Sequence, residues 1–399
     1  VLALAQDPAA PLLERVKFAG IMGMLYDEFS MKRIGGLRRR IEKKQIRISS
    51  DGLTPKQELE LSRRELRLQI DILCKLVEEL RSALADAGIP ILNYDELNDE
   101  QRDHVRHYFR KSVQLILTPL AVDVGHPFPF ISNLGLNLGI EIKGSRERKG
   151  HFVRIKIPLN RPRWIEAPGG GFVPLEQVIG NNLDLMFSPK TKMKCYQFRV
   201  TRGAKDNPRD RIPVTDEEPE LLPGSIIGMV TAELTARKYA GVVRLQVSED
   251  MPEKMRDWLT RQLDVDPEDV LVWKSLMNMT DLVKFQPDGY PELRDPVHKP
   301  VNHPRLKQMN TKDSSAIFKE IRRGDFLVHL PYHNFNSSIL RMLKSAAVDP
   351  DVLAIKISIY RTSSQSPVIQ ALIEAARRGK QVAVFVEITA RFDEAPNIA

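Results

Sequence analysis

The carboxyl-terminal part of the chain alternates apolar runs with amphipathic segments, and this pattern constrains the fold more than any other feature. The segments "DFLVHLPY", "VLAIKISIY" and "QVAVFVEI" are typical of strands, and "NSSILRMLKSAAVD" and "SPVIQALIEAARRGK" are typical of the helices between them. Short connections between such elements predict a βαβαβ unit with parallel strands and right-handed crossovers. Because each strand is a nearly continuous apolar run, we expect helices to cover both faces of the sheet.

Two arginines follow predicted strands of this unit. Arg361 comes directly after "VLAIKISIY", and Arg391 comes a few residues after "QVAVFVEI", near Glu387, Asp393 and Glu394. Parallel sheets of this kind bind ligands beyond the carboxyl ends of their strands. Two guanidinium groups there suit the oxygens of a phosphate. The spacing leaves a second interpretation open, in which both arginines pair with carboxylates in loops that have no functional role.

Histidines offer weaker signals. His329 and His333 flank "LPY" at the end of a predicted strand, where they either position a loop or contact a phosphate. The chain has no GxxxxGK or HExxH motif, and its eight histidines lack the spacing of zinc ligands. The glycines at 169–171 lie among prolines and aromatic residues, which predicts a turn. These patterns argue against a Walker-type nucleotide site and a zinc site.

The amino-terminal region, residues 1–88, has a helical pattern. Its longest helix is predicted to start at a Thr54 cap followed by Pro55, and to stop at Gly88. Apolar residues at three- and four-residue spacing should form its buried face: Leu59, Leu66, Ile70, Leu73, Leu76, Val77 and Leu80. The preceding segment "MKRIGGLRRRIEKKQIR" is strongly basic, and it is either a solvated helix face or a surface that faces an anion.

The middle region, residues 89–309, has a mixed α/β pattern. The segments "LNLGIEIKG" and "HFVRIKIPL" alternate like strands, and "SRERKG" between them predicts a hairpin connection. The stretch "RGAKDNPRDRIPVTDEEPELLPG" has too few apolar residues for a core element and is predicted to be a surface loop. The proline-rich run "QPDGYPELRDPVHKPVNHP" is predicted to end this region, so that a third region covers residues 310–399.

Charge and composition limit the class of protein. The net charge of +8 and the pI of 9.3 favour an anionic partner. The two cysteines, Cys74 and Cys195, are too few for a disulfide framework or a zinc cluster and are expected to be ordinary thiols. The sequence has no apolar run of the length that crosses a membrane and no secretory signal pattern. We therefore expect a cytoplasmic protein without a membrane span, and peripheral membrane association stays open.

Several motifs together resemble a known family. "PLLERVKFAGIMGMLYDEF", "LNDEQRDHVRHYF", "ILTPLAVD", "PYHNF" and "DPDVLAIKISIYRTSSQSPVIQALIEAARRGKQVAVFVEITARFDE" are similar, in this order, to segments of bacterial polyphosphate kinases of the large, phospholipase-D-like type. The resemblance implies a multidomain α+β and α/β protein. Its parts would be a helical amino-terminal domain, a mixed α/β head domain and a first, incomplete phospholipase-D-like catalytic domain with parallel strands.

The resemblance also implies an activity. Enzymes of this family transfer the terminal phosphate of ATP reversibly to inorganic polyphosphate through a phosphohistidine, with Mg²⁺. Carried over by motif, Arg361 of "YRTS" and Arg391 of "ARFDE" correspond to the family's magnesium and phosphate site. Since arginine has no lone pair to offer a metal, we interpret both as contacts to phosphate oxygens that the metal also binds. His329, His333, Glu387 and Asp393 are possible supporting residues, and the resemblance implies a homo-oligomer.

One departure from the family pattern bears on activity. The family's nucleophile belongs to a His-x-Lys motif, and none of the eight histidines here is followed at the second position by lysine. We therefore expect the phosphohistidine and a second catalytic domain to lie outside these residues, so that the chain is a fragment that is inactive alone. An inactive polyphosphate-binding or regulatory partner is the alternative. Nucleic-acid binding is not expected, because aromatic residues are not interleaved with the basic runs.

Overall fold

The computed structural model describes residues 1–44, 48–122, 127–142, 151–188, 192–203, 240–307, 309, 313–362 and 366–388. These residues form two compact units, one up to Asp295 and the other from Pro296 onward. The helices α1 to α11 are Leu2–Gln6, Leu12–Phe29, Gly35–Glu42, Pro55–Asp86, Asp99–Tyr108, Leu175–Gly180, Glu253–Gln262, Pro304–Lys307, Ala316–Arg322, Ile339–Val348 and Pro367–Arg377. The strands β1 to β10 are Leu120–Val122, Leu136–Ile142, His151–Lys156, Trp164–Glu166, Phe172–Pro174, Met193–Arg202, Val242–Ser248, Val270–Trp273, Ala354–Ile359 and Gln381–Val386.

The long helix α4 has the termini that its sequence predicts. Thr54 Oγ1 accepts a hydrogen bond from the backbone N–H of Gln57, and Gln57 Oε1 accepts one from the N–H of Thr54, which completes a capping box. Gly88 follows the helix with a φ of +78°, a conformation that glycine adopts without steric cost. Six of the seven predicted face residues are buried, and Leu66 is half-buried: the six are Leu59, Ile70, Leu73, Leu76, Val77 and Leu80.

A six-stranded sheet in the order β1-β3-β2-β6-β7-β8 forms the centre of the first unit. Strands β2 and β3 pair antiparallel with Leu138 opposite Ile155, as their alternating patterns predict, whereas the predicted connection "SRERKG" lies outside the described residues. Of the other pairs, only β7 and β8 run parallel within the described residues. One face of the sheet packs into a core that includes residues of α1, α2 and α4, and the other face packs around Phe198 and Leu259 of α7. The predicted amino-terminal and middle regions thus contribute to one hydrophobic core.

A buried charge network joins α2 to this sheet. Asp27 of α2 accepts hydrogen bonds from Arg199 of β6 and Arg244 of β7, and all three side chains are buried. The basic segment after α2 is also partly paired, because Arg38 lies 3.4 Å from Asp266 and 3.3 Å from Asp269. Arg38 therefore stabilises the packing of this segment against residues 266–269. Residues 45–47 of the basic segment lie outside the described residues.

Helix α2 approaches a 3₁₀ turn, Met279–Lys284, closely enough to exclude a side chain at Gly20. A Cβ atom there would lie 2.7 Å from the backbone nitrogen of Val283 and 2.8 Å from its Cγ2. We expect Gly20→Ala to lower the free energy of unfolding by about 1–3 kcal/mol in urea denaturation, because backbone atoms must move apart. Gly36→Ala in α3 is the control, since no atom beyond its neighbours and its own helix backbone lies within 4 Å of its Cβ position. Helix propensity alone should then raise stability by up to about 1 kcal/mol. Equal stability of both variants would contradict the close packing.

The second unit contains a parallel pair of strands with helices beside it. Strand β9 pairs with β10 in the predicted parallel orientation, and α11 connects them. Helices α10 and α11 pack on Ile355 and Ile359 through Leu343, Leu372 and Ala375. The predicted helices and the last two predicted strands are therefore confirmed.

Two expectations for this unit are wrong. Residues 325–332, "DFLVHLPY", form no strand: residues 325–329 have no regular secondary structure, residues 330–332 turn, and Leu327 is 83% exposed. Among the described residues, helices cover the β9–β10 pair on one face only, because Ala354, Lys356 and Ser358 are exposed and alternate with buried or half-buried isoleucines, and Phe385 is 71% exposed. Residues 325–332 and the strands β9 and β10 are all apolar in sequence. The described helices pack against only part of that apolar surface.

The remaining predictions concern the glycine turn, the two cysteines, a surface loop and membrane spans. Gly169, Gly170 and Gly171 all have positive φ in the turn that joins β4 to β5, as predicted. Cys74 and Cys195 are free thiols, and burial raises their pKa to about 11 and about 12. The predicted surface loop in residues 202–224 lies almost entirely outside the described residues. Among the described helices, none combines the length and the apolar character that a membrane span requires.

Candidate phosphate-binding site

The carboxyl ends of β9 and β10 lie side by side. The two strands are in register from Ala354 opposite Gln381 to Ile359 opposite Val386, and the backbone N–H of Glu387 donates to the carbonyl of Ile359 at 3.0 Å. Arg361 follows the end of one strand by two residues, and Glu387 directly follows the other. The structure therefore brings Arg361 and Glu387 to the same edge of the sheet, while Arg391 and Asp393 lie outside the described residues.

Arg361 has an exposed side chain at this edge. Its guanidinium carbon lies 5.6 Å from the centre of the Tyr360 ring, close enough for the ring face to orient the planar group. A guanidinium group stays charged and presents its donors in a planar fork, which matches two oxygens of a phosphate. The position and chemistry of Arg361 therefore suit contact with a phosphate that approaches the sheet edge.

Helix α11 adds a second source of positive potential. It begins with Pro367 after Ser366, whose hydroxyl accepts a hydrogen bond from the N–H of Val368 at 3.3 Å. The helix starts in the connection that leaves the carboxyl end of β9, so its amino terminus is directed toward the same edge as Arg361. Unpaired N–H groups and the helix dipole favour anions at such a terminus.

His329 and His333 close a turn. The backbone N–H of His333 donates to the carbonyl of His329 at 2.7 Å, and His333 Nδ1 accepts from the N–H of His329 at 2.9 Å. The turn contains the cis peptide bond between Leu330 and Pro331. These contacts give both histidines a role in holding the loop, which is one of the two interpretations that their sequence positions left open.

The segment 298–305 packs against this turn and was not identified from the sequence. Val301 pairs with His333 in an isolated parallel bridge, and the ring centres of His303 and His333 are 5.0 Å apart. His303 Nδ1 accepts a hydrogen bond from the N–H of Arg305 at 3.3 Å, and Arg305 lies over the ring of Phe326 at 4.8 Å. The run "PVNHPRLK" carries no periodicity that predicts this contact, so its histidine could not be distinguished from the others.

Protonation should weaken this histidine contact. Partial burial lowers the pKa of His303 below its usual 6.5, and the neighbouring His333 and Arg305 lower it further. The unfolded chain therefore binds the proton first, so the stabilising contribution is complete above about pH 6.5 and is lost as the pH falls through the folded-state pKa. NMR titration of the His303 ring, assigned with a His303→Gln variant, should give a midpoint below 6.5. A midpoint above that value would contradict the packing described here.

The side chains that could ligate a metal are scattered in the part of the chain that the structure describes. They contain no group of three or more histidine, cysteine, aspartate or glutamate side chains arranged to hold a metal ion. Arg361 cannot act as a ligand because its guanidinium has no available lone pair. The guanidinium of Arg361 therefore suits a phosphate oxygen and not a metal ion.

Three consecutive domain models of one family match the chain. The polyphosphate kinase N-terminal domain matches residues 1–92, the polyphosphate kinase middle domain matches residues 100–285, and the polyphosphate kinase C-terminal domain 1 matches residues 316–399. The third match contains β9, β10 and Arg361.

Relatives and a solved structure agree with these matches. The chain is 41% identical over 406 residues to a polyphosphate kinase of Mycolicibacterium gilvum (strain PYR-GCK), and the alignment covers 100% of this chain and 54% of the relative. It is 40% identical over 411 residues to one from Mycobacterium avium (strain 104), with 100% of this chain and 55% of the relative covered. The crystal structure of polyphosphate kinase from Porphyromonas gingivalis superposes with a TM-score of 0.76 at 23% identity, over 98% of this chain and 54% of that chain.

The three domain models match in the order N-terminal, middle and C-terminal domain 1, and the solved structure has the same fold. The chain spans about half the length of the curated relatives that it matches. With all three domain models in sequence and identities near 40%, the chain belongs to the polyphosphate kinase family.

Proposed function

We propose that the protein containing this chain is a polyphosphate kinase that transfers the terminal phosphate of ATP reversibly to inorganic polyphosphate. The observation that carries the proposal is the position of Arg361 at the carboxyl edge of the parallel pair β9–β10, inside the segment matched by the family's C-terminal domain 1. Membership of the family suggests ATP and polyphosphate as substrates. The positive charge of Arg361 at the carboxyl edge of the β9–β10 sheet suits their phosphate groups.

In this proposal, Arg361 holds oxygens of the phosphate that is transferred. A transferring phosphoryl group spreads negative charge over its equatorial oxygens, and a fixed cation lowers the barrier by compensating that charge. The amino terminus of α11 adds positive potential at the same edge. Arg391 is proposed to act with Arg361, and Glu387 and Asp393 are proposed to orient the pair. Arg361 and Arg391 would contact phosphate oxygens that Mg²⁺ also binds, and the metal would supply further compensation of the phosphate charge.

The nucleophile is proposed to be a histidine outside these 399 residues, since none of the eight histidines here has the family's His-x-Lys pattern. The phosphoryl group would pass from ATP to that histidine and then to the growing polymer. The described part of the chain then contributes phosphate binding and charge compensation, and it is not expected to turn over alone.

Polyphosphate synthesis tests the proposal. The complete gene product, incubated with ATP, Mg²⁺ and a short polyphosphate primer, should form a polymer that an exopolyphosphatase degrades, and should regenerate ATP from polyphosphate and ADP. Binding of polyphosphate without any consumption of ATP would overturn the kinase proposal and support the alternative, an inactive polyphosphate-binding or regulatory partner. If the protein neither bound polyphosphate nor consumed ATP, both the kinase proposal and the polyphosphate-binding alternative would be excluded.

A further inference from the structure

The first compact unit contains a cavity of about 350 Å³ that the proposed reaction does not use. It lies between the segment after β3, the β4–β5 hairpin with the start of α6, and residues 278–287, which include the Met279–Lys284 turn. Its volume falls in the range of small-molecule sites, at the lower end. Three features of its lining determine which ligand would fit: the aromatic walls, the neutral floor and the basic mouth.

Three aromatic rings form the walls and hold one another in place. Trp164 meets Phe285 edge to face with ring centres 5.3 Å apart, and Phe172 meets Phe285 in the same manner at 5.1 Å. The indole N–H of Trp164 donates to the carbonyl of Asp281 at 3.1 Å, which fixes the indole ring. Rigid aromatic faces favour a flat, unsaturated ligand, because such a ligand stacks without ordering the protein further.

The floor is polar but neutral. Arg163 pairs with Glu176 at 2.5 Å, and both side chains are buried. Arg163 also donates to the carbonyls of Met277 and Asn278 at 2.5 Å and 2.6 Å. These contacts satisfy the guanidinium within the protein, so Arg163 shapes the cavity and is not the group that selects a ligand.

The mouth carries the charges that a ligand would meet. Arg161 and Lys284 line it, and Lys284 is 79% exposed and lies 3.4 Å from Asp281. Arg161 donates to the carbonyl of Ser112 at 2.8 Å, which anchors its guanidinium beside the opening. Two cations against one carboxylate leave the mouth positive, and this favours a ligand with an anionic group outside its ring.

We propose that this cavity binds a planar aromatic anion of about the size of a nucleoside monophosphate, with its ring against Trp164 and Phe285 and its anionic group toward Arg161 and Lys284. The inference stands independently of the kinase proposal, because its residues belong to the first compact unit and Arg361 belongs to the second. AMP is the probe, since it offers a flat base and a dianion in one molecule.

The test is an AMP titration monitored through the indole N–H resonance of Trp164. A saturable shift is expected with AMP, a weaker response with adenosine, and none with ribose 5-phosphate, because the ring supplies the contact with the walls. Lys284→Gln should weaken binding roughly tenfold at low salt, the cost of one charge-assisted hydrogen bond. Lys254→Gln is the matched control, since Lys254 is an exposed lysine on α7 of the same unit.

A second variant blocks the opening without changing the core. Leu159 lines the mouth and is largely exposed, so Leu159→Trp should fill the entrance and abolish the Trp164 shift while the fold persists. Equal affinity in the Lys284 and Lys254 variants, an equal response to ribose 5-phosphate, or no saturable shift of Trp164 in the parent chain would each overturn the proposal.

Discussion

Replacing Asp27 by asparagine is expected to lower the free energy of unfolding by about 3–5 kcal/mol, because it leaves buried positive charge without its carboxylate. Asp27 Oδ1 and Oδ2 accept from the Nη1 and Nη2 atoms of Arg199 at 2.8 Å and 2.5 Å, and Oδ1 also accepts from Arg244. The asparagine side chain has nearly the same shape, so the loss reflects charge rather than packing. Urea denaturation followed by circular dichroism measures it.

The remaining contacts of the two arginines cannot replace the carboxylate. Arg199 donates to Gln246 at 2.9 Å and to the carbonyl of Leu134 at 3.0 Å, and Arg244 donates to Thr201 at 2.8 Å. These partners are neutral, so in the variant the two guanidinium groups would repel each other in a buried site. The network spans helix α2 and strands β6 and β7, and its loss should therefore loosen the packing of the helix on the sheet.

A surface pair provides the matched control for Asp27. Asp184 accepts two hydrogen bonds from Arg106, at 3.0 Å and 2.6 Å, but its side chain is 47% exposed. Asp184→Asn should cost no more than about 1 kcal/mol, because water screens and replaces an exposed pair. Equal losses in the two variants would show that burial does not determine the energy of these pairs, which would contradict the account.

The same network predicts a dependence of stability on acid. Burial raises the pKa of Asp27, but Arg199 and Arg244 more than offset this, and the pKa of the folded-state carboxyl lies below its usual value. A lowered carboxyl pKa contributes stability that is present above the unfolded-state value of about 4 and is lost as the pH falls through the folded-state pKa. The parent chain should therefore lose stability below about pH 4 more steeply than Asp27→Asn.

Replacing Arg361 by glutamine in the complete protein is expected to reduce the rate of polyphosphate synthesis about 100-fold. A preorganised cation that faces transferring charge typically contributes a factor of this size, and glutamine keeps a polar side chain while removing the charge. The rate should fall in both directions of the reaction, since the same phosphoryl group passes the site each way. Steady-state synthesis and ATP regeneration measure the two directions.

Arg377→Gln is the matched control for this variant. Arg377 is exposed at the carboxyl-terminal end of α11, the end of the helix that points away from the carboxyl edge of the sheet. Its replacement removes the same charge from the same unit and should leave the rate within about twofold, as for a surface substitution away from the site. Arg361→Lys should recover part of the rate, since it restores charge without the planar fork. Near-normal rates in Arg361→Gln would show that Arg361 makes a loop contact and has no role in the reaction.

Local signals in the sequence predicted the elements that local chemistry determines. Thr54, Pro55 and Gly88 mark the ends of α4, and apolar spacing marks its buried face, because caps and helical periodicity act within a few residues. The parallel orientation of β9 and β10 followed from the helix that connects them. The positions of Arg361 and Glu387 at one edge followed in turn, because both come within two residues of the ends of paired strands.

Contacts between distant segments were beyond prediction from one sequence. Asp27 and Arg199 are separated by 172 residues, and no local pattern indicates that they meet. The apolar run in residues 325–332 was wrongly predicted to be a strand because apolar character alone does not supply a neighbouring strand. The backbone N–H of Val301 donates to the carbonyl of Tyr332 at 2.9 Å, beside an isolated bridge between Val301 and His333, and residues 330–332 turn instead of extending a sheet.

The most direct test of the central claim is the equilibrium binding of polyphosphate to the complete protein and to its Arg361→Gln and Arg377→Gln variants over a range of salt concentrations. If the carboxyl edge of the β9–β10 sheet holds the phosphate, Arg361→Gln weakens binding roughly tenfold and reduces the salt dependence by about one released counterion, as for other polyanions. Arg377→Gln should bind like the parent protein. Equal affinity and equal salt dependence in all three proteins would contradict a phosphate site at this edge.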